Sequence, residues 1–317
     1  MPPHWMNDPQ GLALLEAAKR EYDATAPRLV LSDWLEEQGE QEAAQALRRS
    51  LLEPQEWLYL STEAADRWVP INCFHAGWPA RFVHIESLHL HLRRQPSEWL
   101  VCMAIRNTNI DSPLAISFAQ SCHFHYLCSL ELSSNELGYD GARSLLQAPT
   151  ISNLNAFACD FNEIGPEGLR NIGSINFRFL SYLSIMDNGL GDLGIEHLSE
   201  LRSDKLRHLN LAGNGITSSG AGVLADSAVL KNVDTFLLPD NDLGDEGVRV
   251  LVDSPCLANV KHLNLRFNQI GDEGARALLN SPNLTSLRFL NLGGNNIQSD
   301  LIARQLYERF PEVVLWR

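Results

Sequence analysis

The stretch VKHLNLRFNQIGDEGARALLNSPNL, residues 260–284, is the clearest copy of a pattern that recurs along most of the chain. Its apolar residues alternate at Leu263 and Leu265, which is typical of a short strand with one buried face. Asn268 follows the strand, and apolar residues then return at helical spacing, for example at Ala275 and Leu278. One copy therefore predicts a strand, a turn and a helix.

The pattern recurs eight times at a nearly constant spacing. The position of the Asn is separated from the next by 27, 27, 26, 26, 27, 27 and 27 residues. It is occupied by Thr108, Asn135, Asn162, Asn188, Asn214, Asn241, Asn268 and Asn295. A fixed period of this length predicts a solenoid. Because the strand-to-strand crossovers are right-handed and helices are wider than strands, we expect a horseshoe with a concave parallel sheet and convex helices.

The residues before each Asn follow the framework LxxLxLxxN, as at Leu206, Leu209 and Leu211. This framework resembles leucine-rich repeats, of the longer ribonuclease-inhibitor-like kind. The resemblance implies an α/β solenoid that acts as a binding scaffold and not as an enzyme. GxSxG, HExxH and P-loop motifs do not occur in the sequence, so no catalytic residue and no cofactor is predicted.

The first 60 residues have a different, helical pattern. Asp8 is a candidate N-cap for a first helix, Pro27 lies in the first turn of a second helix that stops at Gly39, and a third helix is expected over 41–52. The string APRLVLSDWLEEQGE, residues 26–40, resembles the signature of the bacterial repeat-companion domain. That resemblance implies a small all-α domain ahead of the repeats.

We therefore expect four regions: a helical domain over 1–60, an aromatic-rich junction and N-terminal cap over 61–98, eight repeats over 99–298, and a C-terminal cap over 299–317. The stretch 54–80 is expected to be irregular, with a capping strand through Phe82, Val83 and Ile85 and a helix from Ser87. At the other end, a helix after Ser299 and a strand over 313–316 would cover the last repeat.

Composition narrows the class of partner. The 317 residues carry a formal net charge of −14 with a pI near 5.1, which repels phosphate backbones and anionic membranes. The N-terminus lacks the apolar segment of a signal peptide, and the six cysteines lack a disulfide-framework spacing. We expect a cytoplasmic monomer with reduced thiols that binds a protein or peptide, and neither nucleic acid nor a membrane.

The recurring Asn could be a polar ladder for a ligand or a structural feature. Binding residues have no reason to recur in every repeat, whereas backbone groups at each bend need a hydrogen-bond partner. We therefore predict a structural role for Asn135, Asn162, Asn188, Asn214, Asn241, Asn268 and Asn295.

Two alternatives from other functional classes stay open. Six of the ten histidines lie between His75 and His125, and Cys122 and Cys128 are close to them, so a metal-binding module is conceivable although paired CxxC or HxxxH elements are absent. We predict no metal site, and stoichiometric zinc in purified protein would contradict this. Some leucine-rich-repeat proteins of this class act as GTPase-activating partners, which would make Arg106 or Arg266 a candidate arginine finger. Accelerated GTP hydrolysis by a small GTPase would reveal that activity.

The outward positions of the strands distinguish one repeat from another. Small side chains dominate the early repeats, and aromatic, His, Met, Arg and Asp residues concentrate from the third repeat onward, as contact surfaces do. Asp187 and Asp240 are expected on either side of a depression at Ala212 and Gly213, an open notch of the size of a peptide, and they would favour a basic group on the partner. The candidate partner-binding residues are Asp160, Phe161, Tyr182, Met186, Asp187, His208, Asn210, Leu237, Asp240, His262, Arg266, Phe267 and Phe289.

Overall fold

A computed structural model describes most of the repeat region and parts of the N-terminal third. The described residues are 8–20, 25–41, 44–45, 47–48, 57–61, 80–84, 102–105, 110–119, 129–148, 151–310 and 312–315. The predicted helix from Ser87 lies outside them. So do Thr108, Arg106 and the segment from Cys122 to Cys128.

The start of the first N-terminal helix and the extent of the second agree with the prediction. Helix α1 spans Pro9–Arg20, and the Asp8 carboxylate accepts the backbone N–H groups of Gln10 and Gly11, at 2.8 and 3.1 Å. Helix α2 spans Thr25–Glu37 and is followed by Gly39 at φ +81°. Residues 41, 44, 45, 47 and 48 are helical, in agreement with a third helix.

The string over 26–40 forms one side of this helical unit. Leu31, Trp34 and Leu35 are buried, while Asp33 and Glu36 both bind Arg48, at 2.8 and 2.5 Å. The apolar residues of the string are thus packed in the interior, and its acidic residues form ion pairs with the helical segment that follows.

The described strands form one parallel sheet of eleven strands. In chain order they are β1 Trp57–Ser61, β2 Ala80–His84, β3 Cys102–Ile105, β4 Ser129–Glu131, β5 Ala156–Ala158, β6 Tyr182–Ser184, β7 His208–Asn210, β8 Thr235–Leu237, β9 His262–Asn264, β10 Phe289–Asn291 and β11 Glu312–Val314. From β3 to β11 each strand pairs with its successor. The first residues of β3 to β10 pair in register across the sheet, from Cys102 to Phe289.

The sheet differs from the prediction at its N-terminal edge. Strand β1 pairs with both β3 and β2, so the order there is β3, β1, β2. The expectation of an irregular segment over 54–80 is therefore wrong for Trp57–Ser61. The capping strand is present as β2, which contains Phe82 and Val83, whereas Ile85 lies outside the described residues.

Helices cover one side of the sheet. They are α3 Ser112–Ala119, α4 Gly138–Leu146, α5 Gly165–Gly168, α6 Gly191–Ser199, α7 Ser218–Asp226, α8 Gly244–Val252, α9 Asp272–Asn280 and α10 Asp300–Arg309. Between the two layers lies one continuous core that runs from Ile110 to Val313. Burial of this shared face is what stabilises each repeat, because a single strand and helix cannot cover it alone.

Helix α5 is the irregular one. It has four residues, whereas α6 to α9 have nine each, and a 3₁₀ turn over Ile172–Ser174 replaces its second half. Asn171 adopts a left-handed conformation with φ 69°. Asn171 and Gly173 are weak helix formers, which explains why the helix stops early.

The C-terminal end carries the predicted helix as α10 and a final strand as β11, which spans Glu312–Val314 instead of 313–316; Trp316 lies outside the described residues. Ser299 caps α10 by accepting the N–H of Ile302, and Ile302 and Leu306 are buried in the common core. Among the described residues, we find no helix with the length and apolar character needed to cross a membrane.

Candidate functional site

The recurring Asn residues form a ladder of hydrogen bonds between repeats. The Asn214 amide nitrogen donates to the carbonyl oxygens of Ile185, Leu211 and Ala212, at 2.9 to 3.1 Å. Its side-chain oxygen accepts the N–H groups of Asn188 and Leu190, at 3.0 and 3.4 Å. One side chain therefore joins its own bend to the preceding repeat.

The same bonds recur along the solenoid. Every Asn of the ladder donates to a carbonyl of its own bend, and from Asn162 onward also to a carbonyl one repeat earlier. Six of the seven are at most 7% exposed; these six are Asn135, Asn162, Asn188, Asn214, Asn241 and Asn268. With its polar atoms used internally, this column offers little to a ligand.

The candidate partner-binding residues lie on the face of the sheet that points away from the core and the helices, or at the edge of this face where the strands end. None of the thirteen is buried. Five are exposed, namely Phe161, Asp187, Asp240, His262 and Phe267, and the other eight are half-buried. The early repeats differ, because Ser129, Glu131 and Ser133 are 3%, 2% and 7% exposed.

Aromatic rings pair across neighbouring strands at the strand starts. Tyr182 and His208 stack with their ring centres 4.3 Å apart and their planes 12° apart. His262 and Phe289 lie 6.3 Å apart at a tilt of 38°. Thr235 separates the two pairs, because its strand lies between those of His208 and His262. The face thus presents two aromatic pairs with a small gap between them.

The position of His208 determines its charge. Burial lowers its pKa to about 4, and the negative charge of nearby Asp234 only partly opposes this shift. The imidazole is therefore neutral at physiological pH, and it contributes an aromatic surface to the face instead of a positive charge.

Asp160 and Asn210 are engaged within the sheet. One Asp160 oxygen accepts the Ser184 hydroxyl at 2.6 Å and the Met186 N–H at 2.8 Å. Asn210 donates to the Ser184 oxygen at 3.0 Å and accepts the N–H of Ala212 at 3.2 Å. These two candidates hold the middle of the face in place, so a partner would meet them as a fixed polar floor.

A row of left-handed residues forms the rim, one before each Asn of the ladder. The φ angles are 57° at Ser134, 55° at Phe161, 50° at Asp187, 63° at Gly213, 56° at Asp240, 50° at Phe267 and 70° at Gly294. A left-handed conformation costs a residue other than glycine on the order of 1 kcal/mol. Two rim positions carry the glycine that avoids this cost, whereas Phe161 and Phe267 place bulky rings there.

The two rim aspartates interact across the glycine between them. The Asp187 carboxylate lies over Gly213, where an added Cβ would be 2.1 Å from its Oδ1 atom. Desolvation and the negative charge of Asp240 both raise the pKa of Asp187. The depression at Ala212 and Gly213 is therefore not the open notch that the sequence predicts, because the Asp187 carboxylate occupies it.

Arg266 and Phe267 form the C-terminal flank of this acidic pair. The guanidinium carbon of Arg266 lies 4.3 Å from the centre of the Phe267 ring, in a cation–π contact. The ring itself extends over Gly294, whose added Cβ would be 2.0 Å from a ring atom. The glycines at 213 and 294 thus make room for the side chains of the preceding repeats.

A second set of bonds between repeats was not anticipated from the sequence. One Asp245 oxygen accepts the N–H groups of Gly271 and Gly274, at 2.6 and 2.9 Å, and so caps helix α9 of the next repeat. Asp192 does the same for Thr217 and Gly220 of the following repeat. The sequence does carry a signal for this capping: an Asp in the first turn of one helix is followed, one repeat later, by a small residue at the start of the next helix.

The described residues give no support for a metal centre. Within them, no group of three or more His, Cys, Asp or Glu side chains could hold a metal ion. The cluster from Cys122 to Cys128 lies outside the described residues, and so does Arg106. Cys159 follows β5 and is buried in the core, where desolvation raises the pKa of its thiol and keeps it protonated.

Comparison with known proteins agrees with the repeat geometry. The family model described as Leucine Rich repeat matches residues 125–146, 178–199, 203–225, 256–279 and 283–300. No curated protein matches the chain. Among solved structures, an internalin from Listeria monocytogenes is 20% identical, with a TM-score of 0.46, over 68% of this chain and 54% of that chain.

Two further solved structures are similar to the chain. A chain of the Rad7 and Elc1 complex in yeast is 16% identical, with a TM-score of 0.46, over 73% of this chain and 65% of that chain. The leucine-rich-repeat ectodomain of a plant membrane receptor kinase from Arabidopsis thaliana is 22% identical, with a TM-score of 0.34, over 63% of this chain and 22% of that chain. The chain spans less than two thirds of each of these proteins. Together with the sheet, the helices and the Asn ladder, the matched family model shows that the chain carries leucine-rich repeats, stacked as an open α/β solenoid.

Proposed function

We propose that this protein is a non-enzymatic adaptor that binds a protein or peptide on the concave face of its third to seventh repeats. Leucine-rich repeats generally act as protein-interaction scaffolds. The acidic net charge of −14 disfavours nucleic acid and anionic membranes as partners. We further propose that it acts in the cytoplasm as a monomer.

The rim row carries this proposal. Gly213 and Gly294 fit its left-handed backbone without strain, whereas Phe161 and Phe267 occupy equivalent positions at a conformational cost. These rings are 48% and 43% exposed, so burial in the core does not compensate for that cost. Exposed, strained aromatic residues on both sides of an acidic pair are what a contact surface would explain.

The chemistry of the rim favours a basic group on the partner. Two carboxylates whose charges repel each other gain from a cation placed between them, and Asp187 and Asp240 repel in this way. A lysine or arginine of the partner above Gly213 would meet both. The aromatic pairs at Tyr182 and His262 would then contact apolar side chains of the same segment further along the strands.

The acidic pair also predicts opposite effects on stability and on binding. Folding raises the pKa of Asp187, so the ionised carboxylate opposes folding at neutral pH. Asp187→Asn should therefore preserve or increase the melting temperature while it weakens the binding of a basic partner. A group that only supported the fold would show a loss of both.

The test is affinity capture from the native host with quantitative mass spectrometry. The wild type is compared with Tyr182→Ala, Asp240→Lys and the control Ser134→Lys. Ser134 has the same rim position and a left-handed backbone in an early repeat, and it is only half-buried. A control at Ser129 would be unsuitable, because that residue is 3% exposed and a lysine there would disturb the sheet.

We expect a partner that the wild type and Ser134→Lys retain and that the other two variants lose. Direct titration of the purified partner should then show a weaker interaction with Asp187→Asn, and the loss should shrink at high salt. A partner that is lost only with Ser134→Lys would place the site on the early repeats and refute the proposal.

A further inference from the structure

A cleft of about 520 Å³ opens on the flank of the solenoid, away from the acidic rim. It is lined by the end of helix α4, by the segment that follows the short helix α5, and by the turns that lead into β5 and β6. Its polar lining includes Arg143, Arg170 and Arg178, with Ser152, Asn171 and Asn176 between them. Its volume is typical of sites for small molecules.

The irregular repeat accounts for the position of this cleft. Helix α5 stops at Gly168, and the left-handed Asn171 directs the chain into a 3₁₀ turn. The other helices from α6 to α9 continue for nine residues. The missing helical turn leaves space beside α4, and Asn171 lies on the edge of that space.

The charge of the cleft is opposite to that of the whole chain. Three arginines line it, and the described lining contains no acidic side chain, although the chain has a net charge of −14. Arg143 binds Asp140 at 2.7 Å and Arg170 binds Glu167 at 3.2 Å, in exposed pairs three residues apart. Such pairs contribute little to stability, so the guanidinium groups can turn toward a ligand at small cost.

The remaining lining suits the body of an organic ligand. Ile175 is partly exposed and can provide an apolar contact, and the amides and hydroxyls of the lining supply neutral hydrogen-bond donors. A guanidinium donates two parallel hydrogen bonds to a phosphate or carboxylate, which makes arginine the residue best suited to bind such groups. We propose that this cleft binds a small anionic molecule that carries phosphate or carboxylate groups, at a site separate from the strand face.

Calorimetric titration of the full chain with pyrophosphate and with citrate, at constant ionic strength, tests the proposal. We expect saturable binding of at least one probe, weakened about tenfold or more by Arg143→Gln and by Arg178→Gln, because each removes a charge-assisted contact. Arg249→Gln is the matched control, since Arg249 has a similar pair with Glu246 on helix α8 and does not line the cleft. The affinity of Arg249→Gln for the probe should equal that of the wild type.

The two probes also distinguish the group that is recognised: preference for pyrophosphate assigns phosphate, and preference for citrate assigns carboxylate. Chemical modification of arginines in the wild type gives a readout that does not depend on the folding of a variant. The bound probe should protect Arg143, Arg170 and Arg178 and leave Arg249 reactive. Failure of both probes to bind at millimolar concentration, or an equal loss in Arg249→Gln, would overturn the proposal.

Discussion

The carboxylate of Asp187 lies directly over Gly213 of the next repeat, so close that a Cβ on the glycine would be 2.1 Å from its Oδ1 atom. The glycine thus has two properties that matter here: a left-handed backbone with φ 63° and a surface that admits the acidic side chain of its neighbour. The nearby Gly215 has the first property without the second, because its φ is 65° and no atom would lie within 4 Å of an added Cβ.

This pair of glycines gives a matched test. Gly213→Ala and Gly215→Ala should each destabilise the fold by roughly 1–2 kcal/mol, because both force alanine into a left-handed conformation. Only Gly213→Ala should displace the Asp187 carboxylate, which can rotate away at small cost. Chemical denaturation compares the two stabilities.

The displacement itself is measured by NMR titration of Asp187. In Gly213→Ala its pKa should fall toward the ordinary value, because the carboxylate moves away from Asp240 and into solvent. In Gly215→Ala the pKa should stay as in the wild type. An unchanged titration in Gly213→Ala would show that the carboxylate does not depend on the glycine.

Asn214 should be important for stability. Asn214→Ala removes a side chain that makes five hydrogen bonds to backbone groups of its own bend and of the preceding repeat, and leaves those groups buried without these partners. We expect a loss of about 1–3 kcal/mol in the free energy of unfolding. The control Asn232→Ala removes one exposed bond to the Asp204 carbonyl and should cost much less. Equal melting temperatures for Asn214→Ala and the wild type would contradict a structural role.

Much of the sheet could be predicted because the repeat period fixes the register. Once Asn214 and Asn241 are equivalent, His208 and Thr235 must be neighbours, and the structure pairs them. The apolar alternation at Leu263 and Leu265 likewise identifies which side of each strand is buried. Position along a strand follows from spacing alone.

Features that depend on side-chain direction or on contacts outside the period could not be predicted in this way. The spacing does not show that Asp187 turns toward Gly213, because rotamers are chosen by packing and charge in three dimensions. Nor does it place β1 between β2 and β3, since Trp57–Ser61 lies before the first repeat and has no repeat partner from which its neighbours could be inferred. The early end of α5 has a local signal in Asn171 and Gly173, but the apolar periodicity of the repeat obscures it.

The capping of one helix by the preceding repeat gives another prediction. Asp245→Ala removes the acceptor for Gly271 and Gly274 at the start of helix α9, and should cost about 0.5–2 kcal/mol, as the loss of a helix cap does. Asp253→Ala is the control, because the exposed side chain of this residue has a 3.8 Å ion pair with Arg249 as its only described contact. Denaturation curves should separate the two variants; a smaller loss for Asp245→Ala than for Asp253→Ala would refute the capping role.

His208 predicts how stability depends on pH. Its pKa in the folded protein is about 4, below the ordinary value of 6.5, because the ring is packed against Tyr182 and largely desolvated. Between these two values the unfolded chain binds more protons than the folded one, so the stability contributed by the neutral ring is complete above pH 6.5 and is lost as the pH falls toward 4. A shift of this size corresponds to on the order of 3 kcal/mol.

The measurement is the free energy of unfolding at several pH values from neutral to acidic. In His208→Phe the ring can still stack on Tyr182 but cannot take up a proton. The free energy of unfolding of this variant should therefore fall less than that of the wild type over this pH range. If His208→Phe and the wild type lose stability in parallel, the histidine does not titrate differently on folding, and its neutral aromatic role on the strand face would have to be abandoned.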